Sequence, residues 1–303
     1  MALGVVVPPA VLAWLQTQAV DGVVREVRAT FGGFSHLTLF ADLGHGPVVV
    51  KAASAVEKRA DVSRDGRMLA RLREVDLPVP SVVAATDDTD GWTVVVLSVI
   101  AGEGGLGVLQ TSTEAELSAR ATVMARLMRL VHRSVPNPTS DPDLDLSVRS
   151  DRNRVALGSA GLPPDVRRML DEALATPLLQ RGVALVHGDF GFHNTLWSDK
   201  NEAARIVGLF DWEWSGWGNP LTDLAWLWWT LCFRRAPVTM MEAVLDEYGR
   251  DEVRAFGWSE TCVHLLVCAQ MAQIVLRTVI DSPQRAEWLR RIRGVAALAV
   301  PPI

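Results

Sequence analysis

The stretch "VHGDFGFHNTLW" (residues 186–197) sets His187, Asp189, His193 and Asn194 between apolar runs. Three arrangements use such residues: a metal site, a phosphate-transfer site, or a turn whose polar groups satisfy one another. Spacing separates them. Asp189 follows His187 by two residues and precedes Asn194 by five, the H-x-D-x-x-x-x-N pattern of a phosphoryl-transfer loop. That chemistry needs a carboxylate to orient a hydroxyl and accept its proton, and oxygen ligands for Mg²⁺. Mg²⁺ is a hard cation that takes Asp, Asn, water and phosphate oxygens over His or Cys. Zinc would need a third soft ligand near His187 and His193, and the sequence offers none there. His187 reads as a brace of the loop backbone.

Working outward, "IVGLFDWEW" (residues 206–214) puts Asp211 at the end of an apolar strand, 17 residues after Asn194. A second Mg²⁺ carboxylate is expected at that place. Upstream, "VVVK" ends a strand on Lys51, as a phosphate-binding lysine does. Before it, "TFGGFSH" reads as a hairpin turn containing Gly33 and Ser35. Its small residues let backbone N–H groups approach phosphates.

The chain has 303 residues, more than one typical domain of roughly 100–200, so two lobes are expected. Hydrophobic residues make up 49% and charged residues 21%, an ordinary globular composition. A net charge of −5 and the absence of any Lys/Arg block exclude nucleic acid as a partner. Three cysteines without C-x-x-C spacing read as reduced thiols, which implies a cytoplasmic location. The N-terminus lacks the basic region of a signal peptide, and "PPAVLAWLQTQAV" reads as a helix that starts at its prolines. No stretch spans a membrane; "CVHLLVCAQMAQIVLRTVI" reads as a buried helix.

The first hundred residues read mainly as strands with one helix, "VSRDGRMLARLREV". Beyond them the pattern is mostly helical. "TEAELSARATVMARLMRLVHRSV" opens on a capping box of Thr113 and Glu116, and residues 136–165 read as loop or short helices. The expected division is residues 1–97, a nucleotide-binding sheet with one helix, and residues 98–303, a helical part carrying hinge, catalytic loop, metal site and acceptor pocket. "GEGGLG" (residues 102–107) matches a dinucleotide fingerprint, but no βαβ pattern surrounds it, so it reads as a linker. The tryptophans from Trp212 to Trp229 read as core, and His132 as a satisfied structural histidine.

Taken together, "HGDFGFHNTLW", "FDWEWSGWGNPLTDLAWL", "LPVPSVV" and "SVIAGE" resemble the aminoglycoside phosphotransferase family of small-molecule kinases over nearly the whole chain. The resemblance implies an α+β, bilobal protein-kinase-like fold, with a small antiparallel-sheet N-lobe and a mostly helical C-lobe. It implies Asp189 as catalytic base and Asn194 and Asp211 as Mg²⁺ ligands. Lys51 would hold the α- and β-phosphates of ATP or GTP, and backbone near Ser98 to Ile100 would meet the base. His187 and Asp223 would brace the catalytic loop. Three departures stand out. Asp65 occupies the place of the glutamate that pairs with the lysine, followed by the helix-weakening Gly66; either the helix sits closer or Glu57 takes the role. His36 and Asn219 replace the family's usual Asn and Asp.

The expected activity is phosphate transfer to a hydroxyl of a small molecule, most simply an aminoglycoside or macrolide antibiotic. A metabolic kinase for a sugar, amino alcohol or hydroxy acid and an inactive nucleotide-binding regulator are the alternatives. From Arg234 onward eight acidic residues face nine arginines. Arg149, Arg152 and Arg154 dilute the acidity of Asp141, Asp143, Asp145 and Asp151. This balance favours an acceptor that is not strongly cationic. A monomer or homodimer without membrane partners is expected.

Overall fold

The computed structural model describes residues 6–29, 36–134, 142–180, 184–198 and 203–303. They form two compact units: Met1–Glu103 with Val207–Trp214, and Gly104–Ile206 with Ser215–Ile303.

The first unit opens with α1 (Pro9–Gln18), which starts at its prolines as expected. Proline tolerates the first turn because its missing N–H would have no helical partner there. Then come β1 (Arg25–Ala29), β2 (Leu37–Asp42), β3 (Pro47–Ala53), α2 (Val56–Leu72), β4 (Val82–Thr89) and β5 (Trp92–Ser98). The strands make an antiparallel sheet in the order β1-β2-β3-β5-β4. Alternation along β3 and β5 divides its faces. Val48, Val50, Ala52, Val94 and Val96 pack with Val11 and Leu15 of α1. Lys51, opposite Val95 in the register, faces the other way. The β4–β5 hairpin turns at Asp90-Gly91, both with positive φ (49° and 81°); Asp-Gly is the pair such a two-residue turn favours. Helix α2 begins at Val56, earlier than the apolar periodicity suggested, because its first turn is polar and exposed.

The second unit corrects one expectation. The border between the units falls within "GEGGLG", as a linker reading implies, but the stretch is structured: β6 (Glu103–Gly104) leads into α3 (Gly105–Thr111), with Gly104 as N-cap. Gly105 is required for close approach. A Cβ there would stand 2.2 Å from the Phe192 carbonyl oxygen and 2.4 Å from Thr195 Oγ1. Next is α4 (Glu114–Ser134), whose capping box forms: the Thr113 N–H donates to Glu116 at 2.7 Å. In the stretch read as loop or short helices, Asp145 caps α5 (Leu146–Leu157), and Pro164 starts α6 (Pro164–Leu174).

Short strands follow: β7 (Ala184–Val186), β8 (Thr195–Trp197), β9 (Ile206–Leu209) and β10 (Gly216–Gly218). β7 pairs antiparallel with β10. The chain ends in α7 (Leu221–Phe233), α8 (Val238–Tyr248), α9 (Arg250–Ala255), α10 (Glu260–Leu276) and α11 (Pro283–Gly294). Helix α7 is buried on all sides from Leu221 to Leu231, including Trp226, Trp228 and Trp229, as a helix apolar all round must be. No described helix is long and apolar enough to cross a membrane.

Candidate active site

In the second unit, the loop between β7 and β8 is tied down by side chains from three helices. Asp223, in the first turn of α7 and fully buried, accepts from the backbone N–H groups of His187 and Gly188, both at 2.8 Å. Its carboxylate also meets His132 Nε2 of α4 at 3.1 Å. A carboxylate can only accept, so Nε2 carries a proton, and Nδ1 meets the Tyr248 hydroxyl at 2.7 Å. Burial, reinforced by Glu252 and then Asp223, pushes the Tyr248 phenol above its ordinary range, so the hydroxyl keeps its proton. Gln270 of α10 donates to the Gly188 carbonyl. Gly188 itself sits at φ 81°, where a side chain would be strained.

This frame presents Asp189. Its Oδ1 accepts from Trp226 Nε1 at 2.6 Å and lies 3.0 Å from His193 Nε2. Its Oδ2 accepts from Asn194 Nδ2 at 2.9 Å, and the same amide nitrogen reaches the Asp189 carbonyl at 2.9 Å. The carboxylate is fixed yet a quarter exposed. Gly191 lets the His193 ring fold back, since a Cβ there would lie 2.6 Å from the ring. His187 is buried, and its Nδ1 accepts from the Asp189 N–H at 3.2 Å. Asn219 uses both ends of its amide, donating to the Leu178 carbonyl and accepting from the Leu221 N–H, each at 2.9 Å. An aspartate could do only the second.

In the first unit, Lys51 is buried with its ammonium 2.7 Å from Asp65 Oδ2 and 2.8 Å from Asp211 Oδ1. Desolvation works against its charge, but the carboxylates of Asp211, Asp65 and Glu213 outweigh it and hold the pKa above the ordinary lysine value. Asp65, not Glu57, is therefore the partner on α2. Gly66 makes this possible. A Cβ there would lie 2.8 Å from Val95 Cγ2, so the glycine lets α2 sit close on β5, and the short aspartate reaches the lysine. Asp65 Oδ1 also accepts from the Trp212 N–H at 2.7 Å, and Arg64 donates to the Glu213 carbonyl at 2.6 Å. Helix α2 thus grips residues 212–213, next to Asp211, a non-glycine residue at φ 71°. Such outliers persist only where surroundings impose them.

Ser98 is bonded to Ser81 through both its N–H and its hydroxyl, and Ile100 lies half-buried beyond β5. Gly33 and Ser35 lie outside the described residues. Sequence reasoning missed the bond from Trp226 to Asp189, the tryptophans reading chiefly as core, and that from His193, weighed only against zinc. It also missed Gln270 and Gly105. Signals existed for two of them: His193 follows Asp189 by four residues, and Gln270 interrupts an apolar helix. Asp189 and Asn194 in the second unit, and Asp211 in the first, each offer oxygen atoms of the kind Mg²⁺ takes.

The sequence profile of the phosphotransferase enzyme family (APH) matches residues 26–261. Viomycin phosphotransferase of Streptomyces vinaceus is 31% identical over 186 residues, which cover 57% of this chain and 62% of that protein. The match therefore spans less than two thirds of that relative. The structure of aminoglycoside phosphotransferase APH(4)-Ia, a ternary complex with ADP and hygromycin B, superposes with a TM-score of 0.63 at 17% identity. It covers 91% of this chain and 95% of its own. The gentamicin complex of APH(2'')-IIa gives a TM-score of 0.67 at 16% identity, covering 98% of each chain. At such identities the structures establish the fold: α+β, bilobal and protein-kinase-like, with an antiparallel-sheet N-lobe and a mostly helical C-lobe.

Proposed function

The chain belongs to the phosphotransferase enzyme family, and we propose that it moves the γ-phosphate of ATP or GTP to a hydroxyl of a small antibiotic. The observation that carries this is Asp189, held by Trp226, His193 and Asn194 with its carboxylate still accessible. In the proposed reaction Asp189 orients the acceptor hydroxyl and takes its proton. Catalysis of this kind rests on positioning and on neutralising charge.

Both protons of the Asn194 amide serve Asp189, which leaves its Oδ1 for a cation, and Asp211 supplies a carboxylate. A Mg²⁺ ion bound there would neutralise charge on the phosphates. Lys51, already the focus of three carboxylates, would hold the α- and β-phosphates, and the backbone near Ser98 to Ile100 would meet the base. Gly33 and Ser35 complete the proposed nucleotide set. Residues 1–97 would form the nucleotide-binding part and residues 98–303 the rest. The Lys51–Asp65 pair at 2.7 Å supports an active enzyme over an inactive regulator, because the lysine has a carboxylate partner on α2.

For the acceptor, viomycin phosphotransferase among relatives and the hygromycin B and gentamicin complexes among solved structures favour antibiotics over sugars or amino alcohols. The test is nucleoside-diphosphate release from Mg-ATP and Mg-GTP across an acceptor panel, with Asp189→Ala as the blank. The panel holds viomycin, aminoglycosides, macrolides, sugars and amino alcohols. Acceptor-dependent release by the wild type alone supports the proposal and names the class. Tight nucleotide binding with no release for any acceptor counts against it.

A further inference from the structure

Beside Lys51, three side chains converge that the proposed reaction does not explain as a group. His36, Asp211 and Glu213 each present one donor atom, and these atoms all lie within 4.8 Å of one another. His36 Nδ1 and Glu213 Oε2 are 3.3 Å apart on side chains only 5% and 4% exposed. Among the described residues neither atom has a hydrogen-bond partner, not even the other. Glu213 Oε1 is already used, accepting from Trp214 Nε1 at 2.7 Å.

Two buried polar atoms face each other without a hydrogen bond, although leaving such atoms unmade is costly. Their separation suits a different arrangement. Two ligands about 2.1 Å from one tetrahedral ion stand about 3.4 Å apart. Lys51 is a cation set against Asp65, Asp211 and Glu213 beside this group, and buried carboxylates are ordinarily paired or coordinate metal.

We propose that His36, Asp211 and Glu213 bind one divalent transition cation, of the Mn²⁺, Co²⁺ or Zn²⁺ kind, without nucleotide. An imidazole nitrogen with two carboxylates suits these ions, whereas Mg²⁺ takes oxygen ligands. The site depends on His36 and Glu213 and stands whether or not the phosphotransfer proposal does.

The experiment uses the full chain free of nucleotide. Mn²⁺ is titrated while the electron paramagnetic resonance signal of free Mn²⁺ is followed, and Co²⁺ is titrated while visible absorption is followed. The wild type is expected to take up one equivalent and to show a Co²⁺ spectrum characteristic of nitrogen ligation. His36→Ala and Glu213→Gln are each expected to weaken Mn²⁺ binding by about tenfold or more, with His36→Ala altering or abolishing the Co²⁺ spectrum. Circular dichroism melts confirm that the variants fold, and His36→Asn serves as a second variant if His36→Ala does not. No nucleotide-free uptake by the wild type, or equal affinity in folded His36 variants, overturns the site. Asp189→Ala separates the two proposals: it abolishes phosphate transfer and leaves nucleotide-free Mn²⁺ binding as in the wild type.

Discussion

Replacing Gly66 by alanine isolates the contact that brings α2 onto the sheet. An alanine would ordinarily favour a helix interior by about 1 kcal/mol. Here the added Cβ lands 2.8 Å from Val95 Cγ2, while unstrained carbon contacts sit at about 3.5–4.0 Å. The helix must therefore withdraw by about 0.7 Å or more. Asp65 rides on the next position, so its 2.7 Å bond to Lys51 and its 2.7 Å bond from the Trp212 N–H would open beyond hydrogen-bonding range. Overpacking costs about 1–3 kcal/mol, and weakening bonds to a charged group adds about 1.5–3 kcal/mol. Offset by helix propensity, the net loss should be about 2–4 kcal/mol. The double variant is the most informative protein. Asp65→Glu adds a methylene, about 1.3 Å of reach, which suits a withdrawn helix and crowds the native one. In urea denaturation of the four proteins, Asp65→Glu should destabilise the wild type and rescue Gly66→Ala, a coupling of about 1 kcal/mol or more. Additive effects, or a Gly66→Ala protein stabilised by its helix propensity, would refute the account.

Other perturbations test the loop and the core. Asp223→Asn turns one acceptor oxygen into a donor facing the His187 or Gly188 N–H, and urea denaturation should show a loss of about 2–4 kcal/mol. Trp226→Phe keeps the bulk and removes the 2.6 Å bond to Asp189; kcat should fall about 10- to 100-fold with the nucleotide KM unchanged. Burial, then Glu172, pushes the Cys268 thiol from 9.0 up to about 12. The unfolded thiol ionises first, so the stability this thiol contributes is present below about pH 9 and declines as pH rises toward 12. Denaturation between pH 8 and 11 should therefore be less pH-dependent in Cys268→Ala than in the wild type, and parallel slopes would contradict that burial.

The local motifs were legible because phosphoryl-transfer chemistry imposes spacing. Asp189, Asn194, Asp211 and Lys51 were picked out by distance along the chain, and strands and prolines placed the elements around them. What escaped depends on partners remote in sequence. Gly66 looked like a weak point in a helix until Val95 was set against it. Gly105 looked like linker because the oxygen it must avoid belongs to Phe192. Trp226 belongs to an apolar run in which one indole N–H among several reaches Asp189, and only the rotation of α7 decides which one. A pattern along the chain reports a residue's own preference; close approach is a property of two segments.

The bonds from Asp223 to the loop bear on how the protein exchanges hydrogen with solvent. Loop amides usually exchange quickly, since small local openings expose them. The His187 and Gly188 N–H groups are instead held by a buried carboxylate at 2.8 Å, with no water-facing side. They should exchange as slowly as amides in the centre of α7, through global rather than local opening. The segment that carries Asp189 would then be among the last parts of the chain to open, so heat should abolish any turnover that depends on Asp189 and unfold the helical unit over the same range of temperature.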